Sequence, residues 1–136
     1  MALAKEKGLP LFRSSTMLYG GETQYIKGRV NEFAKPVNYI YHIGQYLPEW
    51  HPWENYKNFF VGDARPGGVR EIFGIDLPWL LDTFGPAKSL HADTHNLSEL
   101  EISYPDSAFV TLPHDTGTPG ILAVAPRTPD AARNVD

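Results

Sequence analysis

YHIGQYLPEWHPWENYKNFFVGDARPGGVREIFGIDLPWLLDTFGP, residues 41–86, decides how this chain is read. It holds all three tryptophans, two of the five histidines, and a Gly-Gly pair followed by a long apolar pattern. Over 69–84, Ile72, Ile75 and Trp79 join Phe73, Leu77, Leu80 and Phe84 in a stripe wide enough that most of the helix must be buried. Pro78 sits inside it and predicts a kink, with Gly74 four residues back to reduce the crowding. Gly85-Pro86 is the stop signal. Upstream, Pro48 and Pro52 bracket a segment expected to be irregular, and 53–60 is expected to be a short aromatic helix. The stretch therefore describes a polar, aromatic pocket beside a buried helix.

Working outward, residues 2–7 are rich in Ala and Lys and stop at Gly8, like the last turns of a helix. Residues 10–16 then read as a short strand. Helix end, turn and strand make an αβ unit of a parallel sheet, entered half-way through its helix. A weak helix is expected over 22–27, ended by Gly28. Residues 35–44 alternate as a strand, with Val37, Tyr39 and Tyr41 on one face and Asn38, Ile40 and His42 on the other. After the central helix come four expected strands, 88–93, 98–104, 107–113 and 120–125, with turns at 104–107 and 115–119. The polar tail, 126–136, is expected to be loop.

Composition narrows the function. At 136 residues the chain makes one domain, or one domain and a fragment of another, and 42 % apolar residues suffice for a core. A net charge of −4 with no basic run disfavours nucleic-acid binding. No apolar run approaches twenty residues, and the N-terminus has no signal-like apolar core. The absence of cysteine removes disulfides, thiolate metal sites and thiol nucleophiles, and suits the cytoplasm.

Each candidate residue has a functional and a structural reading. His42, with Gln45 and Tyr46 after it, offers a hydrogen-bonding wall for a hydroxylated ligand or a histidine satisfied within the fold. In Glu49-Trp50-His51-Pro52-Trp53-Glu54, two indoles flank a histidine between carboxylates. This suits acid–base work and sugar stacking, or simply anchors a loop. Arg70 and Glu71 follow Gly67-Gly68 at a helix N-terminus, where free N–H groups favour anions, though Glu71 is also a favourable first-turn acid. Asp76 lies among apolar neighbours and needs an Arg, a Tyr or a backbone donor. His91, Asp93, His95 and His114 lack metal-motif spacing, with His95 expected to turn away at the strand's end, so no metal is expected. Ser14-Ser15 has no nucleophile-elbow context.

Three stretches resemble the Gfo/Idh/MocA oxidoreductases, NAD(P)-dependent dehydrogenases of sugars and polyols. Residues 3–15 resemble the last helix–strand unit of that family's Rossmann domain. Residues 42–56 resemble the start of its C-terminal domain, and 67–85 its Gly-rich loop and central helix; the likeness covers most of 3–125. It implies an α+β fold: an open, mostly antiparallel sheet, helices on one face, the other face used for oligomer contacts, and a Rossmann remnant in front. Residues 1–18 would be that remnant, 19–125 the substrate and oligomerisation domain, and 126–136 a tail.

The resemblance also implies hydride transfer between a nicotinamide, NAD or NADP, and the carbinol of a small sugar or polyol. His51 and Glu71 are the expected catalytic groups, with Gln45, Tyr46, Trp53 and Arg70 binding substrate. The sequence departs from the family in three places. It has no Gly-x-Gly-x-x-Gly loop and no Glu-Lys-Pro lysine. Where the family has Asp and His four apart, this chain has Glu71 and Ile75, and Ile75 cannot exchange a proton. It ends where the family continues. By itself the chain is therefore expected to hold no cofactor and to be inactive. The competing expectation is a non-catalytic dimerisation or ligand-binding module.

Overall fold

The computed structural model describes residues 2–10, 15–65, 67–125 and 132–136. Helix α1 spans Ala2–Glu6, a 3-10 turn Thr16–Tyr19 and α2 Gly21–Val30. Strand β1 (Tyr39–Gly44) leads to α3 (Leu47–Trp50), a second 3-10 turn (Phe60–Gly62) and α4 (Gly68–Phe84). Strands β2 (His91–His95), β3 (Ser107–Pro113), β4 (Pro119–Ala125) and β5 (Ala132–Val135) follow. Among the described residues the five strands pair in the order β2-β3-β4-β1-β5. Only β1 and β4 run parallel, with Tyr39 opposite Gly120 and Ile43 opposite Val124; the other pairs are antiparallel. The fold is thus the expected α+β arrangement with an open, mostly antiparallel sheet.

Strand alternation sorts the two faces. Tyr39, Tyr41 and Ile43 of β1, Ala108, Val110 and Leu112 of β3, and Leu122 and Val124 of β4 point to one side and are buried. Ile72, Trp79, Leu80 and Phe84 of α4 close over them. Each Val, Leu, Ile or Phe among them contributes about 1.5–3 kcal/mol when fully buried. Ile26 and Val30 of α2 flank this core, together with Met17 and Leu18. The opposite face leaves Ile40, Phe109 and Ile121 about half exposed.

Both ends of α4 are fixed from a distance. Gly85, at φ +93°, ends the helix. The β3–β4 turn reaches over this end: Thr116 Oγ1 donates to Phe84 O at 2.7 Å. His114, 2 % exposed, stands 2.7 Å from Gly85 O by Nδ1 and 3.0 Å from the Tyr39 hydroxyl by Nε2. A carbonyl only accepts, so Nδ1 carries a proton and donates to Gly85, while Nε2 shares a hydrogen bond with the Tyr39 hydroxyl. Burial raises the Tyr39 hydroxyl pKa well above its ordinary value of 10.0.

Several local expectations are corrected. α2 runs through Gly28 to Val30, because that glycine keeps helical geometry and nothing crowds it. β1 begins at Tyr39 rather than 35. No helix forms over 53–60; turns occupy 51–59, and the short helix lies earlier, at Leu47–Trp50, with Pro48 in its first turn. There proline loses nothing, since first-turn N–H groups have no helical partner. Residues 98–104 form no strand, and β2 is shifted to His91–His95. His95 does not turn away: its ring lies 6.1 Å from that of Phe109. The tail expected to be loop contains β5, held by pairing with β1. The strand expected over 10–16 falls largely on 11–14, outside the described residues, and Thr16 opens a 3-10 turn.

Candidate functional site

The first turn of α4 is where the chemistry-bearing residues gather. It has no side-chain cap of its own: Gly67, at φ +40° and ψ 133°, stands in the capping position. The conformation favours glycine, and so does the space, because a Cβ on Gly67 would lie 3.3 Å from the Tyr104 ring. A Cβ on Gly68 would lie 3.3 Å from Leu47, which is 1 % exposed beneath it. Gly68 N–H donates to the Tyr104 hydroxyl at 3.2 Å, and that hydroxyl donates to Val61 O. Tyr104 thus caps α4 from another loop.

Glu71 lies one turn into the helix, its N–H bonded to Gly67 O at 3.0 Å. Its Oε2 is buried with no hydrogen-bond partner among the described residues. Burial raises its pKa above the ordinary 4.5, while the charge of nearby His51 acts to lower it. His51 follows α3 and is held between two rings: Trp53 edge-on at 5.0 Å and 89°, and Phe59 at 4.2 Å and 50°. Trp53 is 78 % exposed, so its outer face is free for stacking. The structure therefore brings His51, Glu71 and Trp53 to one corner.

Arg70 is exposed, and its Nη1 makes a long contact of 3.4 Å to Arg65 O. It lines a cavity of about 160 Å³ with Ala64, Gly67, Val69, Thr94, Tyr104 and Pro105. Drug-sized sites occupy roughly 300–1,000 Å³, so this one takes a substituent rather than a whole ligand. Gln45 and Tyr46 form the link from β1 to α3 and are half-buried. Among the described residues no hydrogen bond ties either to His51 or Glu71. His42 is half-buried on β1 beside Ala123. Asp76, fully buried, receives the Tyr41 hydroxyl at 3.1 Å, the tyrosine donor its position demanded.

Pyrophosphate recognition at a helix start needs free N–H donors and no opposing charge. Here Tyr104 occupies the Gly68 donor and Glu71 adds a carboxylate. The Gly67-Gly68 turn does not fit a nicotinamide dinucleotide. Among the described residues no His, Asp and Glu group has the geometry to hold a metal. His91 and Asp93 meet at 3.5 Å on the open sheet face, whereas His114 is committed to the core.

Sequence reasoning missed Tyr104 and Asp106. Asp106 is 1 % exposed and organises the loop that carries Tyr104. Its carboxylate accepts from Leu97 N–H at 2.9 Å, Ser98 N–H at 2.8 Å, Ser107 Oγ at 2.9 Å and the Ser98 hydroxyl. Burial alone would raise its pKa; these donors outweigh burial and hold it below the ordinary 3.8. The partners lie up to nine residues away and form no local motif. The one signal was a Tyr-Pro-Asp-Ser run too polar for a strand end.

No family model and no curated protein matches the chain. Solved structures do. The WlbA dehydrogenase from Bordetella pertussis, in complex with NADH and UDP-GlcNAcA, is 20 % identical, matches 97 % of this chain and 41 % of its own, and has a TM-score of 0.69. The D-galactose-1-dehydrogenase from Rhizobium etli is 19 % identical over 98 % of this chain and 42 % of its own, with a TM-score of 0.65. An oxidoreductase from Desulfitobacterium hafniense is 14 % identical over 98 % and 38 %, with a TM-score of 0.76. The likeness is one of fold. The chain spans about two fifths of the length of these proteins.

Proposed function

We propose that this chain is the substrate-side domain of an NAD(P)-dependent sugar or polyol dehydrogenase, and that it binds the substrate at the first turn of α4. The observation that carries this reading is that His51, twenty positions from Glu71 in sequence, lies near enough for its charge to act on that carboxyl, beside the exposed indole of Trp53. Oxidising a carbinol removes a hydride and a proton. The proton would pass to Glu71, whose pKa burial raises, or to its neighbour His51. They would thereby replace the histidine that Ile75 displaces. Trp53 would stack on a sugar ring, Arg70 would hold an anionic or hydroxylated substituent, and Gln45 and Tyr46 would bind outer hydroxyls.

The nicotinamide would supply the hydride acceptor from a nucleotide-binding domain with which residues 1–18 belong. The chain alone would neither hold NAD or NADP nor turn over substrate. A second copy docked on the open sheet face is part of the same proposal, supported by half-exposed Ile40, Phe109 and Ile121. So is a cytoplasmic location, supported by the lack of cysteine. Among the described residues, no helix is long and apolar enough to cross a membrane.

Titrating sugars and polyols while following tryptophan emission tests the reading. A saturable change that His51→Ala or Trp53→Ala weakens at least five-fold is expected, with no calorimetric NAD binding below about 1 mM. Emission indifferent to every sugar would refute the pocket, and micromolar NAD binding would refute the assignment of the cofactor to another domain.

A further inference from the structure

We propose that Tyr104 is a positioning residue for the Glu71 carboxyl: its phenol oxygen occupies the Gly68 N–H at the start of α4 and removes that donor's field from Glu71. The inference rests on the reading of Glu71 as a proton-transfer group. Helix N–H groups without partners carry partial positive charge, which favours ionised acids in the first turn. A capping Ser, Thr or Asp would meet one of these groups, but Gly67 has no side chain to do so. Tyr104, 36 positions after Gly68, does it instead.

The arrangement is two-sided. The phenol accepts from Gly68 and donates to Val61 O, so its oxygen has a fixed orientation. Tyr104 is 6 % exposed, and its ring lies flush on Gly67, where any Cβ would push it away. Its hydroxyl senses Glu71 directly: burial raises the Tyr104 pKa most, the Gly68 N–H lowers it, and the charges of Asp106, Glu71 and Tyr56 raise it further. On Glu71 itself the acting neighbour is His51. With the Gly68 donor engaged by Tyr104 and one carboxylate oxygen buried without a partner among the described residues, Glu71 retains its proton more readily than a first-turn acid ordinarily does.

The test is a carboxyl NMR titration of Glu71 in the 136-residue protein. Tyr104→Phe keeps the ring and frees the Gly68 donor, so the Glu71 midpoint should fall by about half a pH unit. Asp106→Asn loosens the same loop but leaves the phenol, and should destabilise the fold without moving that midpoint. An unmoved midpoint in Tyr104→Phe, or an equal shift in both variants, overturns the proposal and leaves Tyr104 a purely structural residue. Should Tyr104→Phe not fold, the unmodified protein decides: its Gly68 amide resonance must titrate with Glu71, and a flat response contradicts the coupling. Neither readout needs sugar or nucleotide, so a failed polyol titration would count against the proposed function and not against this coupling.

Discussion

Replacing Asp106 with asparagine isolates the contact that holds the loop before β3. The carboxylate accepts two backbone N–H groups and two hydroxyls within a site that is 1 % exposed. Asparagine keeps one oxygen, which can serve Leu97 and Ser107. Its amide nitrogen then faces the Ser98 N–H, donor against donor. The variant loses one charge-assisted bond, about 1.5–3 kcal/mol, and strands a buried N–H, about 1–3 kcal/mol. The Ser98 hydroxyl can rotate to accept from the new amide, so the net cost is about 3 kcal/mol. With a urea slope near 1.5 kcal/mol per molar, the midpoint should fall by about 2 M at neutral pH. The folded pKa of Asp106 lies below 3.8, so its contribution is complete above that value and is lost as pH falls through the lower one. The gap between wild type and variant must therefore narrow as pH falls below 3.8 and through the lower folded pKa. A midpoint shift under about 0.3 M at neutral pH, or a gap unchanged in acid, would refute the reasoning.

Glu71 titrates in the opposite sense. Its folded pKa is raised above 4.5, so the carboxyl's contribution is intact below that value and is lost as pH rises through the folded one. Glu71→Gln should raise the melting temperature at about pH 7 and leave it unchanged near pH 3, as a stability cost tied to function would require. Gly120→Ala would place a Cβ 2.3 Å from the Tyr39 ring, which is stacked on Phe84 at 4.2 Å. Calorimetry should show a loss of about 3 kcal/mol, and an unchanged melting temperature would mean that Tyr39 can move aside. Phe109→Lys and Ile121→Lys alter side chains only half buried in the chain itself. Both should fold normally and sediment as monomers if the open face binds a second copy, and wild type already monomeric at high concentration would exclude that contact.

What the sequence revealed follows from how local each signal is. α4 was legible because its apolar stripe, its leading glycines and Gly85-Pro86 lie in one window; the expected 69–84 is observed as Gly68–Phe84. The β3–β4 hairpin was legible from alternation and the Asp115-Thr-Gly-Thr turn. β5 was not, since Ala132–Val135 has no apolar alternation and becomes a strand only by pairing with β1. The aromatic run at 53–60 suggested a helix, yet Trp53 and Phe59 are spent on His51 rather than on one helical face. In the site, His51, Trp53 and Glu71 announced themselves by chemistry. Tyr104 did not, because its partners, Gly68 and Val61, are defined only once two loops meet.

The proposed function stands or falls on whether the first turn of α4 binds a hydroxylated substrate. The most direct measurement is a proton–nitrogen NMR titration of the labelled chain with a panel of sugars, polyols and uronates. Saturable shifts are expected in the Trp53 indole and in the amides of 67–71, with Glu71→Gln weakening the response. Shifts confined to the groove formed by Tyr25, Phe33 and Val37 at the far end of α4, or none with any ligand, would contradict it.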